Sequence, residues 1–265
     1  MGTNLFKLIT FIKYNFTLHF LRLVNFTGLN IIVRKKLFET DFFLYYPKWE
    51  HLLFLFKPTL TYEKYIQDHL KKIINKNDLI FDIGANIGQY SLFFSHLLSG
   101  KNGKVISIEP DPNNFGILCL NKYRNHCLNI HLLNIGIGNY FEILPLSQDL
   151  VTGGRTSNFL SKAKSNILIE IRPLSWLINE FGTPNFIKID VEGFEKAILE
   201  GVPDTVSLNN IIFLIEVRYD TKNVCFNKLK TTHKCLLIDK KTTTEILTFE
   251  QIPDFANLLF IPFNV

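Results

Sequence analysis

The hydrophobic pattern of the chain changes near residue 78. Beyond that point short apolar runs alternate with segments of helical period. Residues 79–83 read as a buried strand, 87–98 as a helix stopped by Gly100, and 104–108 as a second strand. Residues 111–124 follow as a helix and 130–135 as a third strand. This βαβαβ order predicts a parallel sheet with helices on both faces. Residues 141–146 and 167–171 read as an extra pair of strands. The segment between them, 148–165, carries Gly153-Gly154 and many small polar residues. It reads as a loop long enough to act as a lid. The βα rhythm then returns, with a helix at 174–180, a strand at 186–189, a helix at 194–199 and a strongly apolar strand at 211–217. Residues 234–238 and 257–261 are expected to close the sheet as an antiparallel hairpin.

The first 60 residues have a different pattern. Residues 4–24 fit an amphipathic helix closed by Asn25 and Gly28. Short strands are expected at 29–33, 42–46 and 52–56. A helix over 59–74, capped by Thr61, would place Tyr62, Tyr65, Ile66, Leu70 and Ile73 on one face. The expected organisation is therefore an extension over 1–60 followed by an α/β domain over 61–265.

Composition adds modest constraints. With 47% apolar and 20% charged residues, the 265-residue chain can bury a substantial core. The net charge of +5 comes without a basic stripe interleaved with aromatics, which argues against a nucleic-acid partner. The four cysteines are too widely spaced for a zinc knuckle or a redox pair and read as free thiols of a reducing, cytoplasmic compartment. Lys7, Lys13, His19 and Arg22 interrupt the apolar N-terminus, so no membrane span is expected. Residues 3–26 remain a candidate for peripheral membrane contact. The seven histidines show no ligand spacing, and no feature of the chain signals an oligomeric state.

The chemistry concentrates around Phe81-Asp82-Ile83-Gly84-Ala85-Asn86-Ile87-Gly88. Gly84 and Gly88 stand between a strand and a helix, where an open α/β sheet binds ligands and where backbone must approach them closely. Glu109, 21 residues beyond Gly88, ends the second strand, where a carboxylate can accept both hydroxyl hydrogens of a ribose. The glycine spacing is wrong for a dinucleotide cradle. Asp82, just before the first glycine, would repel a pyrophosphate. It suits the cationic methionine end of S-adenosylmethionine.

The segments DIGANIGQYS, ISIEPDP and IKIDVEGFE together resemble the FkbM-type methyltransferases, a branch of the class I Rossmann-like methyltransferases. The resemblance covers about residues 61–218, and the block 187–195 is its most specific part. It implies a seven-stranded, mostly parallel sheet with an antiparallel closing strand. It also implies S-adenosylmethionine as donor and a hydroxyl of a sugar, glycan or small metabolite as acceptor. Carried onto this chain, the donor-binding residues are Asp82, Gly84, Asn86, Gly88 and Glu109.

The catalytic candidates lie at the end of the fourth core strand. Strand alternation puts Lys188 and Asp190 on one side, with Asp190 nearest the carboxyl end as base or metal ligand. Glu216, on the neighbouring fifth strand, could join Asp190 on a divalent cation such as Mg²⁺, or instead pair with Lys188 or Arg218. Glu192 and Glu195 suit a helix N-terminus. Two rival readings are an RNA methyltransferase and a non-catalytic S-adenosylmethionine-binding module. Against the first, no Asn/Asp-Pro-Pro-aromatic motif follows the fourth strand. Against the second, Asp190 stands beside an intact glycine loop.

Overall fold

The computed structural model describes residues 31–37, 40–46, 63–98, 102–146, 167–191, 193–203, 207–239 and 242–264. The chain divides into two units, Met1–Tyr62 and Glu63–Val265. In the first, strands β1 (Ile31–Leu37) and β2 (Thr40–Tyr46) pair antiparallel, from Ile31 opposite Tyr46 to Leu37 opposite Thr40. Phe42 and Leu44 are buried while Phe43 is half exposed, the period-2 alternation expected of a strand with one covered face. The expected helix at 4–24, the strand at 52–56, the Thr61 cap and the Gly100 stop lie outside the described residues.

The second unit opens with helix α1 (Lys64–Ile73), which buries Ile66, Gln67 and Leu70. The βαβαβ series follows as β3 (Leu79–Ile83), α2 (Gln89–Leu97), β4 (Lys104–Ile108), α3 (Pro112–Arg124) and β5 (Ile130–Leu133). Asp111 caps α3 by accepting the Asn113 N–H at 2.8 Å, and Pro112 takes the first helical position, where no N–H is needed. The small strands β6 (Gly136–Gly138), β7 (Glu142–Pro145) and β8 (Leu168–Pro173) form a separate sheet in the order β6-β8-β7. The pair expected at 141–146 and 167–171 is the antiparallel β7–β8 ladder. Strand β6 went unforeseen because its Gly-Ile-Gly sequence has little strand propensity.

The chain continues with α4 (Leu174–Phe181), β9 (Phe186–Ile189), α5 (Glu195–Glu200), β10 (Ile212–Arg218), α6 (Lys222–Leu229), β11 (His233–Ile238), β12 (Thr243–Ile246), a short 3-10 turn and β13 (Phe255–Pro262). The main sheet has eight strands in the order β12-β11-β13-β10-β9-β3-β4-β5. Strands β10, β9, β3, β4 and β5 are parallel neighbours, while β13 runs antiparallel to both β10 and β11. The mostly parallel sheet with an antiparallel closing strand is thus present. Strand β12 adds an eighth, edge member. It also breaks the expected simple hairpin, since β12 and the 3-10 turn lie between β11 and β13 in the chain. Helix α6 was also unforeseen; it buries Cys225, Phe226 and Leu229 behind a polar face of lysines and asparagines.

The core follows from this order. Central parallel strands are covered on both faces and so read as continuous apolar runs. Phe81, Phe93, Phe94, Phe186, Phe213 and Phe260 are fully buried, which puts part of the chain's large phenylalanine content at the centre of the sheet packing. Among the described residues no helix is long and apolar enough to cross a membrane.

Candidate active site

Strand order reverses between β3 and β9: the chain builds outward through β4 and β5, then returns to the other side of β3. A crevice opens outside the carboxyl ends of strands at such a switch point. Here it is a cleft of about 180 Å³ lined by Gly84, Asn86, Ile108, Glu109, Pro110, Asn114, Ile135, Ile137, Asp190, Phe194 and Glu216, among others.

One wall is made mainly of backbone. The Gly84 and Ala85 N–H groups both donate to the Ile108 carbonyl, at 3.0 and 2.9 Å, which ties the loop to the end of β4. Gly84 has φ +79°, and a Cβ there would lie 1.9 Å from the Asp190 carbonyl oxygen; only glycine fits. Gly88, at φ +92°, begins α2. Asn86 holds a left-handed φ of +53°, and its Oδ1 accepts the Ile87 N–H at 2.8 Å. Its own N–H donates to Glu109 Oε2 at 2.8 Å, and the Asp111 N–H donates to Glu109 Oε1 at 2.9 Å. Burial pushes the Glu109 carboxyl up to about 7 although these two N–H groups hold it down. Asn134 Nδ2 fixes the next turn by donating to the Glu109 and Pro110 carbonyls.

The other wall is charged. Asp82, Lys188 and Leu214 are cross-strand neighbours on one row of the sheet, and the next position on the same side brings Asp190 and Glu216 to the cleft. Lys188 Nζ lies 2.9 Å from Asp190 Oδ2 and 3.9 Å from Asp82 Oδ1, and 4.8 Å from the centre of the Tyr90 ring. Burial opposes its charge, but the two carboxylates prevail and hold the ammonium above its ordinary value. Tyr90 in turn donates its hydroxyl hydrogen to Glu63 Oε2 at 2.6 Å. Burial raises Tyr90 well above its usual range, and also raises Glu63. Glu216 is likewise raised, by burial first and by Asp190 next.

The residues expected from sequence therefore divide. Gly84, Asn86, Glu109, Asp190 and Glu216 meet at one cleft. Gly88 does not line the cleft; a Cβ there would lie 2.4 Å from Leu118 Cδ1. Asp82 does not reach the cleft surface: it is fully buried, accepts the Ser91 hydroxyl at 2.6 Å, and faces Lys188. Lys188 is withdrawn beside it at 5% exposure. Glu195 is buried and accepts the Gly193 N–H at 3.0 Å, a local turn contact. Glu192 and the 148–165 loop lie outside the described residues. Sequence reasoning missed Glu63, Tyr90, Ser91 and Asn114. Ser91 could have been found, since it is the third residue of the helix after Gly88 and carries a hydroxyl on the first turn beyond the strand that holds Asp82.

A cation between Asp190 and Glu216 finds a poor fit. One Asp190 oxygen is engaged by the Lys188 ammonium, Glu216 leans toward Arg218 at 3.8 Å, and among the described residues no group of three or more His, Cys, Asp or Glu could hold a metal ion. Nothing among the described residues supports the expected Mg²⁺ site. The nucleoside of S-adenosylmethionine fits better. Glu109 keeps free lone pairs for hydroxyl donors, and Ile108, Pro110, Ile135 and Ile137 offer apolar faces to a base.

A family model, the methyltransferase FkbM domain, matches residues 82–256. The hexuronic acid methyltransferase AglP of Haloferax volcanii is 27% identical over 202 residues, covering 72% of this chain and 75% of that protein. The methyltransferase sdnD of Sordaria araneosa is 27% identical over 178 residues, covering 54% and 68% respectively. A crystal structure of methyltransferase FkbM from Methylobacillus flagellatus shares the fold with a TM-score of 0.50 at 21% identity. It covers 80% of this chain, which spans about half (53%) of that longer one. The chain belongs to the FkbM methyltransferase family of S-adenosylmethionine-dependent enzymes.

Proposed function

We propose that the chain methylates a hydroxyl group of a sugar, a glycan or a small metabolite, with Asp190 as the base. The observation that carries this reading is the position of Asp190. It lines the same cleft as the Gly84 turn and Glu109, at the carboxyl end of the strand beside β3. Its carboxylate is held by Lys188 at 2.9 Å. The sugar class is supported by the relative that acts on hexuronic acid.

Bound S-adenosylmethionine supplies an electrophilic methyl group on a sulfonium, whose departure leaves a neutral thioether. What remains for the protein is alignment and proton removal. Gly84 and Asn86 shape the turn against which the donor lies, and Glu109 receives ribose hydroxyl hydrogens. Holding two reactants in line can supply roughly 7–11 kcal/mol in favourable systems. Asp190 accepts the acceptor's hydroxyl proton as the new carbon–oxygen bond forms, a contribution on the order of 10²–10⁴ in rate. Lys188 orients that carboxylate from behind and compensates the charge of Asp82.

The test is incubation of the full chain with labelled donor and separated pools of glycans, lipids, RNA and small metabolites. Label in glycans or hydroxylated metabolites, resistant to mild alkaline ester cleavage, supports an ether product. Label confined to RNA overturns the substrate class, and label lost to mild alkali overturns the hydroxyl acceptor.

A further inference from the structure

The face of the sheet that carries Glu216 into the cleft continues past it. Strand β10 runs on to Arg218, and side chains two apart on a strand share a face. Strand β13 pairs with it antiparallel, which sets Asn257 opposite Glu216 and Phe255 opposite Arg218. Residues directly opposite one another also share a face. Four side chains therefore make a strip on the cleft side of the sheet. Glu216 and Asn257 form the row at the cleft, and Arg218 and Phe255 form the row one period farther out. The pair between them, Val217 and Ala256, is buried on the opposite face. Exposure climbs along the strip: the Glu216 side chain is 17% exposed, that of Arg218 32%, and Phe255 54%.

A single exposed aromatic on a surface needs no explanation, but this one stands in register with the cleft. Its neighbours name the chemistry. The Arg218 guanidinium lies 5.8 Å from the centre of the Phe255 ring and 3.8 Å from Glu216 Oε1. An open ring beside hydrogen-bonding groups of both kinds matches a sugar unit, which has an apolar C–H face and a rim of hydroxyls. The cations nearby are paired, Arg218 with Glu216 and Lys222 with Asp254 at 2.9 Å. The strip thus carries no surplus of positive charge for a phosphate backbone. Two residues along a strand span about 7 Å, a step comparable to one sugar unit beyond the reacting hydroxyl.

We propose that Arg218, Phe255 and Asn257 form a subsite for a second sugar unit, so that the acceptor is a glycan rather than a lone sugar or a small metabolite. The unit that is methylated lies against Asp190 and Glu216. The next unit stacks its C–H face on Phe255, while the Arg218 guanidinium donates to its oxygens. This inference rests on the hydroxyl-methylation reading above.

The test uses the full chain, labelled S-adenosylmethionine and extract pools of oligosaccharides, monosaccharides, other small metabolites and RNA. Label should enter the oligosaccharides in preference to the monosaccharides at equal sugar concentration. Phe255→Ala should raise the oligosaccharide concentration that gives half the maximal rate by about tenfold, the loss of one aromatic stacking contact. The effect should fall on KM more than on kcat. Phe255→Trp keeps a stacking face and should stay within about threefold of the parent. Because Phe255 is exposed, both variants should fold, and their affinity for S-adenosylhomocysteine by calorimetry should lie within about twofold of the parent. An unchanged half-saturating concentration in Phe255→Ala would overturn the inference. So would label confined to monosaccharides or other small metabolites, which would leave hydroxyl methylation standing. Label confined to RNA, or absent from every pool, would remove the reading beneath the inference and the inference with it.

Discussion

The two walls of the cleft solve the same problem with different materials. The wall of Gly84, Asn86 and Glu109 is local: a strand, a turn and a helix entry, with backbone N–H groups aimed at one carboxylate. The wall of Asp190 is assembled from a distance. Glu63, Asp82, Tyr90, Lys188 and Glu216 come from separate elements and meet through side chains. Backbone is cheap to place because the turn fixes it. Buried charge has to be compensated group by group. In the proposed function the first wall holds the donor and the second handles the acceptor's proton. Substitutions should therefore separate the two functions.

The largest expected effect is on catalysis. Asp190→Asn should lower kcat on the order of 10²–10⁴, read as label transferred per unit time under saturating donor. A variant that retains a tenth of the parent rate would remove Asp190 from the role of base.

Next comes stability of the charged wall. Lys188→Met leaves Asp82 buried opposite no cation, and breaking a buried pair in this way costs about 3–5 kcal/mol. Chemical denaturation should show that loss. A change below about 1 kcal/mol, the size typical of an exposed pair, would mean that Lys188 does not compensate the buried carboxylates.

How much of this was legible in the sequence differs between the walls for the same physical reason. The turn is written contiguously, with Gly84 and Gly88 between a strand and a helix and Glu109 at the end of the next strand, so spacing alone locates it. The parallel strands were legible because their apolar runs are continuous. Asp190 was found through the resemblance and through strand alternation. The network behind it was not, since Glu63 lies 125 residues from Lys188, and nothing in local periodicity links them. Asp82 shows the limit of motif reading. Its place before the glycine was read as contact with the donor, yet it is turned inward to Ser91 and Lys188. Strand β6 and helix α6 were missed because glycine and short polar runs weaken the periodic signal that tertiary packing later supplies.

A pH series sharpens the contrast further. Glu109 is raised by burial to about 7, and in the proposed role its ionised form is the one that receives both ribose hydroxyl hydrogens. Below that value most of the unliganded protein carries the protonated carboxyl, and donor binding has to expel the proton. Affinity for S-adenosylhomocysteine should therefore increase as pH rises through about 7, by close to tenfold per unit on the acid side, and level off above it. An affinity that is flat between pH 5.5 and about 8 would contradict an ionised Glu109 in the complex. The smallest effect belongs to Tyr90→Phe, which leaves Glu63 without its hydroxyl partner. Stability should fall by about 1 kcal/mol while donor affinity stays unchanged. A loss of donor binding here would show that the walls are not separable.

The most direct test of the division is titration of S-adenosylhomocysteine into the parent protein, Glu109→Gln and Asp190→Asn under identical conditions. Glu109→Gln should weaken binding by about 10-fold or more, as expected for hydrogen bonds to a lost charge, and Asp190→Asn should leave it within about threefold. Equal weakening by both, or weakening by Asp190→Asn alone, would contradict it.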